Sequence, residues 1–159
     1  MENFNLKTTI IKLLQSGGFP FDDIRETLDS ETNFTIYEII TTDEKTYTAH
    51  YKEVLSAINF LVQRIAEEQM PGVKLYFFVD VGGYYQKMIN EIKVRAKIMA
   101  ERAKSFKRDI ECDPMPPYER LIVHSYLATY PEVETESKGV GPERRLVIKY
   151  APLKNKSGI

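Results

Sequence analysis

The sequence predicts an α+β protein of two small domains. Two observations lead there. Amphipathic helical stripes alternate with short strand-like runs through all 159 residues, and charge is segregated along the chain instead of being mixed. Residues 1–82 hold 7 basic against 13 acidic side chains, a net of −6. Residues 83–108 hold 8 against 2, a net of +6, and residues 109–159 hold 7 against 8, a net of −1. The overall charge of −1 therefore conceals a local basic surface, which points to an anionic partner. Hydrophobic residues at 43% and charged residues at 28% are ordinary for a folded protein.

In the first part, Leu6, Ile10, Ile11, Leu13 and Leu14 form a helical stripe that ends at Gly17 and Gly18. "DIRETLD" and "NFTIYEII" are strand-like, with Phe34, Ile36 and Glu38 alternating against Thr35, Tyr37 and Ile39. "SETN" supplies the turn of a hairpin. "YKEVLSAINFLVQRIAEE", residues 51–68, places Val54, Leu55, Ile58, Leu61, Val62 and Ile65 on one side of a helix that "MPG" stops. "VKLYFFVDV", residues 73–81, is β-branched and aromatic enough to be a central strand. Residues 1–82 thus run helix, strand, strand, helix, strand.

The next stretch, residues 82–109, reads as a long helix. Tyr85, Met88, Ile92, Ala96, Met99, Ala103 and Phe106 form a core-facing seam, with Lys93, Lys97, Lys104, Lys107 and Arg108 on a neighbouring stripe. "RDIEC" is a short strand, "DPMPP" an extended entry, and "YERLIVHSYLATY" a helix that can take proline in its first turn. "EVETESKGVGPERRLVIKY" closes the chain with a hairpin turning at "KGVGP". Residues 83–152 therefore run helix, strand, helix, strand, strand, and residues 153–159 form a tail.

Little in the chain supports catalysis, a metal or a cofactor. Cys112 is the only cysteine and His50 and His124 are the only histidines, so neither a disulfide framework nor a thiolate metal site has ligands. Cys112 reads as a small, largely buried apolar residue. "VDVGGYYQ" lacks the glycine spacing of a P-loop or dinucleotide site. It is either a plain strand-to-helix turn or a helix N-terminus open to phosphate. No apolar run is long enough to span a membrane and the first residues make a poor secretory signal, so a cytoplasmic protein is expected.

Arg120 and His124 stand one helical turn apart and project from the same face. A guanidinium fork beside an imidazole suits phosphate oxygens, although two polar residues at a helix edge are also compatible with the spacing. Around this pair, "PMPPYER", "VETESKG" and "PERRLVI" together resemble the R-3-H nucleic-acid-binding domain over about 40 residues. Upstream, the element order and "DVGGYYQKMINEIKVRAKIMAERA" are similar to the bacterial Jag family, also called KhpB, which joins a KH domain to an R-3-H domain.

The resemblance implies a KH-like domain over residues 1–82 and two helices on a three-stranded sheet over 83–152. It further implies non-catalytic binding of RNA or single-stranded nucleic acid, with a small KH protein as a possible partner. Arg120 and His124 would hold phosphate, and Arg144, Arg145, Lys93, Lys97 and Lys104 would add attraction. Alternation along the strand puts Arg144 and Arg145 on opposite faces, so at most one reaches the same site. Tyr118 or Tyr126 offers a ring for base stacking, with core packing the expected fate of Tyr118.

The chain departs from the family pattern in three places. "AHYK", residues 49–52, takes the place of the Gly-x-x-Gly loop and has neither glycine, which leaves His50 and Lys52 as secondary phosphate contacts at most. Leu121 follows the motif arginine where a second arginine is common. The sequence also begins without the N-terminal domain that many Jag proteins carry. An acidic, loop-degenerate KH half that docks a protein partner is the competing reading.

Overall fold

A computed structural model describes residues 4–152, and for residues 50–52 the backbone alone. It divides into two compact units, the first ending at Lys87 and the second beginning at Met88. In the first, helix α1 (Leu6–Gly17) starts where the Asn5 side chain accepts the Thr8 N–H at 2.8 Å, and it ends in the left-handed Gly18, φ 68°. Strands β1 (Asp23–Asp29) and β2 (Phe34–Ile40) form an antiparallel hairpin. Asp29 closes its turn by accepting the N–H groups of Glu31 and Thr32, each at 3.1 Å.

Helix α2 (Glu44–Gln69) leads to strand β3 (Phe77–Asp80), which pairs parallel with β2, so the sheet order is β1-β2-β3. Ile10 and Leu14 of α1 and Leu55, Ile58 and Val62 of α2 pack into one core with Ile24, Tyr37, Ile39, Phe77 and Val79 of the sheet. Each such side chain contributes about 1.5–3 kcal/mol by leaving water.

Two expectations for this unit are corrected. α2 begins at Glu44, seven residues before Tyr51. Asp43 caps it by accepting the Thr46 N–H at 3.3 Å and the Thr46 hydroxyl at 2.7 Å. The fully buried Tyr47 fixes the first turns by donating its hydroxyl to the Pro20 carbonyl at 2.7 Å. Residues 49–52 are therefore helix interior and form no loop. The second correction concerns β3, which has four residues and lies at the sheet margin, with β2 in the centre.

The margin at β3 is covered from α2. The Asn59 amide donates to the Val79 carbonyl at 2.8 Å, and its carbonyl oxygen accepts the Val79 N–H at 2.8 Å. Val79 is fully buried, so replacing Asn59 by Leu leaves two buried backbone groups unpaired. The expected loss is about 2–3 kcal/mol, read as a lower urea midpoint with an unchanged slope.

Tyr37 and Tyr47 are both pushed up to about 12, in each case chiefly by burial and then by a neighbouring carboxylate, Glu26 or Asp43. A phenol whose folded value exceeds the ordinary 10.0 favours the folded state fully below pH 10. That contribution is lost as the pH rises toward 12. Alkaline titration followed by phenolate absorbance should therefore show two late tyrosines whose ionisation coincides with unfolding. Two tyrosines titrating near 10 in the folded protein would contradict it.

Helix α3 (Tyr84–Phe106) starts in the first unit and continues in the second. Its start is capped by the buried Asp80, whose carboxylate accepts the N–H groups of Val81, Tyr85 and Gln86 at 2.8, 3.0 and 3.1 Å. The reading of "VDVGGYYQ" as an open phosphate site is thereby corrected, because an internal carboxylate holds the donors that a phosphate would need. Gly82 and Gly83 take positive φ, 62° and 71°, which lets the chain reverse into the helix.

The second unit adds strand β4 (Ile110–Glu111), helix α4 (Pro117–Leu127), strand β5 (Val133–Lys138), a 3-10 turn at Gly141–Glu143 and strand β6 (Arg145–Tyr150). The sheet order is β4-β6-β5, antiparallel throughout, so two helices accompany three strands as expected. The buried seam of α3 is Ile89, Ile92, Ala96, Ala100 and Ala103. This corrects the expected seam: Phe106 is 68% exposed, and Met88 and Met99 are half-buried. Alanines permit close packing, whereas a phenyl ring in the last turn finds no such space.

Candidate nucleic-acid interface

Pro117 opens α4, where a missing N–H costs nothing. The segment before it is pinned at Met115, whose N–H donates to the Arg144 carbonyl at 3.2 Å. The Met115 carbonyl in turn accepts from Arg120 Nη1 at 2.7 Å. These two bonds bring Arg120 and Arg144 to one open recess walled by Pro114, Pro116, Pro117 and Pro142. Arg144 is exposed and its guanidinium has no partner among the described residues. Arg120 uses one of its five N–H donors on Met115, and the fork is oriented without being exhausted.

One turn along α4, His124 is exposed and its Nδ1 is hydrogen-bonded to the Thr135 hydroxyl on β5. The bond fixes the ring plane and leaves Nε2 without a partner among the described residues. Sequence reasoning missed Thr135 and the Met115 carbonyl. The alternation of "VETESK" marks the face on which Thr135 stands, but only the packing of α4 on β5 selects it.

The other expected site residues fare differently. Arg145 is drawn away by Glu143, at 3.1 Å, and Glu111, at 3.9 Å, so Arg144 and Arg145 diverge. Lys104 is held by Glu101 and Glu132, each at 3.8 Å, and lies 5.9 Å from the Tyr130 ring centre. Lys97 is exposed on α3 and Lys93 is half-buried. The side chains of His50 and Lys52 lie outside the described residues. Tyr118 is 37% exposed, which corrects its expected place in the core, and Tyr126 is half-buried against Tyr130.

Cys112 is buried, and its thiol is raised by that burial and then by the charge of Asp113. Little thiolate forms near neutrality, so iodoacetamide should modify the native protein much more slowly than the urea-unfolded chain. Equal rates would show the thiol open to solvent. Among the described residues no three His, Cys, Asp or Glu side chains are grouped to hold a metal ion, and no helix is long and apolar enough to cross a membrane.

Two helices on a β4-β6-β5 sheet, with an arginine and a histidine one turn apart on α4, define the class: residues 90–150 match the R-3-H domain family, and the second unit is an R-3-H domain. Over 92% of its length the chain is also similar to RNA-binding protein KhpB of Bacillus subtilis, with 27% identity and 78% of that protein covered. RNA-binding protein KhpB of Clostridium symbiosum is 30% identical over 60% of this chain, which spans 43% of that protein. The chain is a bacterial KhpB relative, as its motifs suggest.

Proposed function

We propose that this protein binds RNA or single-stranded nucleic acid without chemical turnover, by phosphate contacts at the α4 edge of its R-3-H domain. The convergence of Arg120 and Arg144 on one recess, with His124 a turn away, carries the reading. A guanidinium oriented by a backbone carbonyl presents its remaining donors in a planar fork, the geometry that phosphate oxygens accept. Lys97 and Lys93 add attraction at longer range. Arg145 and Lys104 contribute less, being already neutralised by carboxylates. The KhpB relatives are named as RNA-binding proteins, which supports RNA as the ligand.

Phosphate contacts make affinity fall with salt and leave little sequence preference in the backbone term. A labelled single-stranded RNA titrated at several salt concentrations should give a straight log–log plot of negative slope, steeper by about 0.7 for each phosphate neutralised. Absence of binding at low salt, or affinity flat with salt, would reject the phosphate clamp.

A second reading assigns the acidic first unit to protein contact, including contact with a small KH protein. Its support is the unbroken α2 at residues 49–52, together with adjacent Phe60 and Leu61, 64% and 46% exposed on the same helix. Capture by the full chain that survives nuclease and is lost in Phe60→Asp favours this reading. Capture abolished by nuclease does not.

A further inference from the structure

Met115 lines a second recess besides the one that holds Arg120 and Arg144. Successive residues of α4 serve the two: Glu119 lines one and Arg120 the other. The second recess lies between α3, α4 and the turn leaving β4, with a volume of about 210 Å³. Ile92, Ala96, Met99 and Val123 make its lining apolar. Its polar groups are Arg102, Asp113 and the 3.4 Å pair of Arg95 with Glu119. Arg102 and Asp113 are exposed and have no hydrogen-bond or ion-pair partner among the described residues.

We propose that this recess takes one unstacked guanine base from the strand whose phosphate is held at Arg120; the proposal rests on the phosphate reading above. A volume of about 210 Å³ is below the roughly 300–1,000 Å³ of pockets for drug-sized ligands. It suits a single ring system and excludes a base pair. The apolar lining and the Met99 thioether receive the faces of the ring, as unstacked bases require. Asp113 supplies only acceptors, which match the N1–H and N2–H donors of guanine, and Arg102 supplies only donors, which match O6 and N7. Adenine has no oxygen at position 6 for Arg102, and uracil has no amino group for Asp113. Only a strand free to turn a base outward can use the recess, so duplex is excluded by the same geometry.

The test uses the full chain and three uridine strands that differ at one central position, carrying guanosine, adenosine or an abasic site. The guanosine strand should bind roughly tenfold more tightly than the abasic strand, a good bidentate contact being enough for that ratio. In Asp113→Asn and Arg102→Ala the ratio should fall to about twofold or less, with thermal unfolding unchanged because both side chains are exposed. Cys112 lines the recess, so its alkylation should be slowed by the guanosine strand and not by the abasic one. Equal, salt-dependent affinity for all three strands overturns the base recess and leaves the phosphate reading standing. A guanosine preference that persists in both variants puts the base elsewhere and overturns it too. Failure of every strand to bind removes both proposals.

Discussion

Replacing Arg120 and His124 together by alanine is expected to weaken single-stranded RNA binding about tenfold to a hundredfold while leaving the fold in place. Hydrogen bonds to charged groups are worth about 1.5–3 kcal/mol each, and two donors to phosphate are removed. The stability cost is smaller. The bonds given up are those to the Met115 carbonyl and the Thr135 hydroxyl, at a half-buried and an exposed position where water can replace the partner. The slope of log affinity against log salt should also become shallower, by about 0.7 for each phosphate that is no longer neutralised. Arg120→Lys separates charge from shape: it keeps the positive charge, loses the fork, and should retain the salt slope with reduced affinity. A large fall in melting temperature with affinity preserved would assign the pair to structure.

Asp80→Ala is expected to be the most damaging single substitution in the first unit, at about 2–4 kcal/mol. The carboxylate is fully buried and accepts three N–H groups at the turn into α3. Alanine leaves all three without an acceptor, where loss of an ordinary cap costs about 1 kcal/mol. For a chain of this size, the melting temperature should fall by roughly 2–4 °C for each kcal/mol. Asp80→Asn should be intermediate: its oxygen still serves Val81 and Tyr85, but its amide sets a donor against the Gln86 N–H. RNA affinity measured well below the transition should change little, which distinguishes this cap from the α4 edge. Equal stability of the alanine variant and the parent would show that the donors find other partners.

Much of this architecture was legible because local signals and tertiary demands agree. The stripe of Leu6, Ile10 and Leu14, the Gly17–Gly18 stop and the "SETN" turn each specify their element without help from distant residues. Disagreements arise where contact with a remote part of the chain decides. "TTDEKTY" has weak helical periodicity, yet it becomes the start of α2 because Tyr47 reaches Pro20, 27 residues away. "LYFFV" has the composition of a central strand but lies at a margin, because Asn59 supplies the pairing that a further strand would give. Along α3 the larger side chains draw the eye, while Ala96, Ala100 and Ala103 are what is buried.

The Arg120–His124 spacing was visible in the sequence, and the proline-rich entry announced the start of α4. The choice between Arg144 and Arg145 was not visible. It depends on Glu111, which β4 places near Arg145 by pairing with β6. Charge counts alone also overstate the basic stripe, since Lys104 acquires two carboxylate neighbours only when the chain is folded.

Asn59 has a meaning for assembly as well as for stability. Its side chain presents one donor and one acceptor to β3 in the manner of a peptide group, so the first sheet is closed along that side and can be extended only beside β1. A sheet with two open sides can propagate without limit, whereas one with a single open side has a valence of one and strand addition stops at a pair. One amide on α2 thus sets an upper bound on how far this sheet can polymerise.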